Sequence, residues 1–372
     1  MDVLFQRFEV VLKQASRATD RPMMLAFLKQ ITGKDAVTAL TREEITELGP
    51  ILNSLSKGAY QYAEEAIRDI VTGEVLLDQG LPDKRRNAYR GDLAASSLRD
   101  LVKAERYVTG QLRQVGVSVL PLRRKPRFDA TLDSEALFGE TVVVYDESEG
   151  WAWVQSSRDL YVGYMPSEGL TSKSVAPTHR IAVLRTYVYP EPDGKTPPLL
   201  LLSLNALVTA TGTNGRFLAL AGGGYVFAGH ALPIGDAAPD FVAIAERFLG
   251  TPYLWGGRTS VGLDCSGLVQ LAVEAAGHAA PRDADMQAAE LGREIDWRRG
   301  VKLRRGDLVF WDGHVGIMTS EKDLLHANAS HMAVEVEPFA RARKRIKDVG
   351  FEVTCVRRLP GRRKPPLQRN AR

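Results

Sequence analysis

The sequence predicts a multidomain chain: a helical N-terminal bundle, two small all-β barrels in tandem, and a C-terminal α+β domain. Three observations predict it. The 372 residues exceed what one ordinary core organises. Apolar residues fall at helical spacing before about residue 80, in short alternating runs from 115 to 236, and in a mixed pattern from 237 to 358. Within that last part, a glycine-rich loop runs into Asp264-Cys265-Ser266-Gly267 and then into a helical pattern.

Residues 1–80 carry Leu4, Phe5, Phe8, Val11 and Leu12 at helical spacing, and a second segment covers 22–31. Thr41 with Glu44 makes a capping box. Over 59–77, Ala63, Ile67, Ile70 and Val71 share one face. Four short amphipathic helices suggest a bundle. It holds no His, no Cys and no chemical motif, and its role stays open between a partner-binding bundle, a self-association element and a fusion.

Residues 81–114 are expected to form a polar linker or arm, LPDKRRNAYRGD, followed by a short helix over 93–108. The first barrel is placed at 115–175, with strand runs around Val142–Tyr145, Trp151–Val154 and Tyr161–Tyr164. The second is placed at 176–236, with runs at 184–188, 199–204, 206–210, 217–220 and 225–228. In the α+β domain, helices are expected over 241–249 and 265–276, the latter ended by Gly277, and strands over 308–311, 314–318 and 334–336. Residues 359–372 are basic and proline-broken, a solvated tail or else an arm for a membrane surface or nucleic acid.

Composition is that of a soluble globular protein, 44% apolar and 25% charged. A net charge of +4 is small for this length and does not argue for nucleic acid as a partner. Two cysteines make no disulfide framework, so a reducing compartment is expected. Asp2, Arg7 and Glu9 interrupt the first thirteen residues, which rules against a signal peptide, and no apolar run approaches a membrane span. The expected location is cytoplasmic.

The chemistry centres on Cys265. Asp264 can cap the following helix, which puts Cys265 in its first turn. There the helix dipole and unpaired N–H groups favour a thiolate and can receive an oxyanion. A free cysteine is more often a small buried hydrophobe, and Cys355, in a plain strand pattern, is left with that role. A nucleophile needs a base. His314 opens the strand pattern His314-Val-Gly-Ile, and His326 follows twelve residues later. Adjacent antiparallel strands would let His326 hold one ring nitrogen of His314 while the other faces Cys265. His179, His230, His278 and His331 are given no role, and no short-spaced ligand set calls for a metal or other cofactor.

The motifs Leu249-Gly-Thr-Pro-Tyr253-Leu-Trp-Gly-Gly257, Asp264-Cys265-Ser266-Gly267-Leu268, Pro281-Arg282, Gly306-Asp307-Leu308 and His314-Val-Gly-Ile resemble those of the NlpC/P60 cysteine peptidases, in order and spacing. Residues 115–235 resemble the paired bacterial SH3-like domains of the murein-peptide-recycling members. The resemblance implies a papain-like α+β fold with Cys265 as nucleophile, His314 as base and His326 as the polar third member. It puts Tyr253 beside the oxyanion, Asp264 and Ser266 against substrate, and Arg282 and Asp283 on a substrate-facing loop. By a looser match, Tyr161 and Glu135 would read a free N-terminal amine. Position 284 is Ala where many relatives have Ser.

The implied activity is cleavage of the γ-D-glutamyl bond to meso-diaminopimelate or L-lysine in peptidoglycan stem peptides, with the L-Ala-γ-D-Glu-diamino acid peptide as partner and no cofactor. An acyltransferase or amidase using the same triad, and a wall-peptide-binding module, are the competing readings.

Overall fold

The computed structural model describes residues 81–360. The helical bundle expected over 1–80 and the tail from residue 361 lie outside the described residues.

Ahead of the α+β part lie two β units. In the first, seven strands form one antiparallel sheet in the order Leu132–Leu137, Val119–Arg123, Val162–Pro166, Trp151–Ser156, Thr141–Ser148, Gln111–Val115, Leu170–Thr171. Its first strand begins at Gln111, four residues inside the segment expected to be arm. Alternate residues Leu120 and Leu122, Val142 and Val144, and Ala152 and Val154 fill its core, as the period of a half-buried strand requires. The second unit has a five-stranded sheet in the order Leu200–Ser203, Arg185–Tyr189, Tyr225–Phe227, Phe217–Leu220, Ala210–Asn214. A three-stranded sheet of Leu207–Val208, His179–Ile181 and Ala231–Pro233 completes it.

The α+β part contributes helices α1 (Phe241–Glu246), α2 (Cys265–Ala275), α3 (Ala284–Glu290) and α4 (Phe339–Asp348). Its strands are β1 (Arg293–Glu294), β2 (Asp307–Trp311), β3 (His314–Met318), β4 (Asp323–Asn328), β5 (Ala333–Pro338) and β6 (Cys355–Arg358). They form one sheet in the order β1-β6-β2-β3-β4-β5. Helix α2 is buried along almost its whole length, and Gly277 at φ +80 closes it, a backbone state that glycine adopts without a Cβ penalty.

The expected helix over 93–108 does not form. Leu93–Ala95 is a strand, Ser96–Leu98 a single 3₁₀ turn, and Arg106–Val108 a second strand pairing in parallel with the first. Leu93, Ala94 and Ala95 are all buried, so this stretch lacks the solvent-facing side of an amphipathic helix.

The units share their cores. Leu202, Leu204 and Val226 of the second β unit belong to one apolar cluster with Leu268, Val269 and Phe310 of the α+β part. Met286 of α3 sits in the core of the first β unit. A buried ionic seam crosses the same junction: Arg158 and Arg258 both pair with Glu140, at 2.5 and 3.3 Å, and Arg158 also pairs with Glu274.

Candidate active site

Asp264 is the N-cap of α2. Its carboxylate accepts from Gly267 N at 2.8 Å and from Gly256 N at 2.8 Å. Arg282, 1% exposed, forks onto both oxygens at 2.9 and 2.7 Å. The same guanidinium donates to Ser266 Oγ at 2.8 Å and, across the junction, to Ser134 Oγ at 3.0 Å. Both carboxylate oxygens are thus bonded on the protein side. The Gly267 position is close-packed: a Cβ there would stand 2.4 Å from Gly257 O. This lattice fixes the first turn of α2, and with it Cys265.

Cys265 is 7% exposed. Burial pushes its thiol up to about 12, with Asp264 acting in the same direction. The backbone N–H groups of Val315 and Ser266 and the Arg282 charge pull the other way and do not prevail. The direction is opposite to the expected lowering, and burial of the thiol is its largest cause.

His314 starts β3 immediately after the Asp312–Gly313 turn, and His326 lies on β4. The register, Ile317 opposite Leu325, puts the two histidines on one face two positions apart. His314 Nε2 and His326 Nδ1 are 2.8 Å apart. The expected base–orienter contact is present. Behind it stands a residue the sequence reading did not assign: Glu337 on β5, whose Oε1 lies 2.9 Å from His326 Nε2. Arg345 of α4 pairs with that same oxygen. Burial is the main cause that pushes both imidazoles down to about 3. Burial thus works against charge on both the Cys265 thiol and the His314 imidazole.

Cys265 opens into a cleft of about 840 Å³. Tyr253 and Trp255 line it near the thiol; burial, then Cys265 and Asp264, raise the Tyr253 phenol, so it keeps its proton as a donor. The opposite wall belongs to the first β unit. Its Tyr161 donates to Asp283 Oδ2 at 3.0 Å. Asp133, from the same unit, also faces the cleft. A third wall is the arm, where Arg85 reaches Asp283 at 2.8 Å and Asp285 at 2.8 Å. Burial is the largest influence on the Asp283 carboxyl and raises it, against Arg282, Tyr161 and Arg85.

The cleft therefore gathers Tyr253, Asp264, Cys265, Ser266, Asp283 and Tyr161. It does not gather two expected substrate contacts. Arg282 is turned inward, because Asp264, Ser266 and Ser134 take its donors. Glu135 accepts from Arg258 N at 2.7 Å and ties the first β unit to the α+β part instead of facing the cleft. Ala284 lines the cleft, with Asp283 and Asp285 on either side of it. Among the described residues, His326, His331 and Glu337 bring three possible metal-ligand atoms within 4.8 Å. Two of these groups are bonded to each other, and His331 Nδ1 bonds Asn328 Oδ1.

A thiol in the first turn of a helix, bonded by the backbone of Val315 next to a histidine that a second histidine holds, is an arrangement suited to cysteine nucleophile chemistry. Comparison with known proteins places it further. Residues 250–347 match the NlpC/P60 family, and residues 122–170 match the bacterial dipeptidyl-peptidase Sh3 domain. The chain carries an NlpC/P60 peptidase domain behind a bacterial SH3 domain, and it is a hydrolase acting on peptide bonds.

It is 29% identical over 230 residues to the gamma-D-glutamyl-L-lysine dipeptidyl-peptidase of Bacillus subtilis, covering 56% of this chain and 76% of that one. It is 27% identical to dipeptidyl-peptidase 6 of Lysinibacillus sphaericus, covering 58% and 87%. Its fold is that of an NlpC/P60 family protein from Bacillus cereus, at TM-score 0.56 and 23% identity over 67% of this chain and all of that one.

Proposed function

We propose that this protein cleaves the γ-D-glutamyl bond to the L-diamino acid in short peptidoglycan stem peptides with a free N-terminal L-Ala, as a cytoplasmic recycling enzyme. One observation carries the reading: a single cleft joins the Cys265 thiol to the Tyr161–Asp283 pair contributed across the domain junction. A half-buried carboxylate beside a phenol suits an ammonium group, which would join Arg85 on Asp283, whereas an acylated amine brings no charge to it. The names of the relatives, which specify γ-D-glutamyl-L-lysine and dipeptide release, support it. On this reading residues 176–236 are a second SH3-like module, and residues 81–110 form an arm that walls the cleft.

The thiol proton passes to His314 as sulfur bonds the γ-carbonyl carbon. The N–H groups of the first turn of α2 and the Tyr253 hydroxyl face the developing oxyanion. Collapse breaks the C–N bond, and the leaving amine takes the proton from His314. Water, giving a proton to His314, then attacks the thioester and frees the dipeptide and the thiol.

The test is incubation with L-Ala-γ-D-Glu-L-Lys, its meso-diaminopimelate analogue and the N-acetylated forms, with products read by mass spectrometry beside Cys265→Ala. Free diamino acid from the unblocked peptides alone supports the reading. Acyl transfer products without hydrolysis would assign an acyltransferase instead, and no reaction with any of the peptides defeats it.

A further inference from the structure

The chain of groups behind His314 has its own proton arithmetic. Each of its hydrogen bonds needs one proton between two heavy atoms. Glu337, paired with Arg345, is an acceptor only. His326 Nε2, 2.9 Å from it, must therefore carry hydrogen. A neutral His326 then has a bare Nδ1, which can only accept. His314 Nε2, 2.8 Å from that atom, must carry hydrogen in turn. The nitrogen of His314 not committed to His326, Nδ1, is left bare.

We infer that Glu337 is a positioning residue that selects the tautomers of both histidines, so that His314 presents a proton acceptor to Cys265. It touches neither substrate nor thiol and acts through His326. The need for it follows from the orienter being a histidine. His326 has two neutral tautomers, and in the wrong one its Nδ1–H would face His314 Nε2. That ring would then hold its proton on Nδ1 and could not take one from sulfur. Glu337 removes this silent state.

The surroundings fit the role. His326 is fully buried and Glu337 is 5% exposed, so water does not compete for either. Charged and titratable neighbours come from several elements: Arg345 from α4, His331 from the turn between β4 and β5, and Asp264 from α2. Glu337 and Asp264 favour a protonated His314, whereas Arg345 and His326 oppose it, and Arg345 and His331 oppose a protonated His326. Glu337 therefore also offsets charge when His314 takes the thiol proton.

Two measurements test this, one of them independent of the substrate reading above. In ¹⁵N-histidine-labelled wild-type protein near neutral pH, both His314 and His326 should show the Nε2–H tautomer by long-range ¹H–¹⁵N correlation. Either ring as Nδ1–H overturns the inference, whatever the substrate proves to be. With the γ-D-glutamyl tripeptide, which rests on that reading, Glu337→Gln should lower kcat at least about tenfold and leave KM within about twofold. Its acid limb of kcat/KM should move to lower pH, while Arg345→Met should move it to higher pH. A merely structural role predicts no such opposed pair of shifts. Wild-type kcat in Glu337→Gln, or unmoved limbs in folded variants, would defeat the proposal.

Discussion

Tyr161 and Asp283, 122 positions apart and on different units, meet at 3.0 Å from phenol oxygen to carboxylate oxygen. Both side chains line the cleft into which Cys265 opens. Its worth to folding is that of one hydrogen bond to a charged acceptor, about 1.5–3 kcal/mol at most. Tyr161→Phe should lower the unfolding free energy by no more than this in urea titration. On the proposed reading it should raise KM for unblocked tripeptide more than it lowers kcat.

The cap of α2 carries a heavier load. Asp264→Ala removes the partner of a fully buried guanidinium and the helix cap together. Breaking a buried pair costs about 3–5 kcal/mol, and the lost cap about 1 more. The variant should unfold at markedly lower urea concentration. Asp264→Asn keeps one acceptor and should fall between it and the wild type.

Arg85 marks the opposite case. It pairs with Asp83, Asp283 and Asp285 but is more than a third exposed, where ion pairs contribute about 0–1 kcal/mol. Arg85→Ala should leave the melting temperature within a few degrees of wild type. Because Arg85 shares the Asp283 carboxylate with Tyr161, KM for the tripeptide should change, and steady-state kinetics read this directly.

Acidity supplies a further outcome. On the proposed mechanism His314 works as the base while neutral, and burial pushes it down to about 3, below the ordinary 6.5. Protonation, and with it loss of the base, is deferred as pH falls. The acid limb of kcat/KM for the free enzyme should therefore lie clearly below pH 6. Stability follows the same sign. Below pH 6.5 the unfolded chain takes up protons that buried His314 and His326 refuse, so their contribution to stability falls between pH 6.5 and about 3. Urea midpoints at pH 7 and pH 5 should show the decline, and replacing His326 should lessen it.

Much of the nucleophile's setting was legible, because it is local. Asp264, Cys265 and Gly267 lie within four residues, and the two histidines on consecutive strands. What escaped notice depends on contacts between distant segments. In Ala333–Pro338 the alternation of valine and glutamate suggests valines inside and glutamates out, yet Val336 is 38% exposed and Glu337 5%. The pull of His326 and Arg345 on its carboxylate outweighs the pattern. Glu135 was misplaced for a similar reason: the backbone N–H that holds it belongs to Arg258, 123 residues on. The helix expected over 93–108 gave way where three consecutive residues, Leu93 to Ala95, are all buried, which an amphipathic helix cannot offer.

Met286 gives the junction a mechanical meaning. Its side chain is packed inside the first β unit while its backbone belongs to the helix that follows Asp283. Parting the two units would expose a hydrophobic core to water, and the ionic seam of Arg158, Arg258 and Glu140 would open with it. The two walls of the cleft are thus joined through packed apolar and ionic contacts, so that on the proposed reading a peptide would meet a span of fixed length.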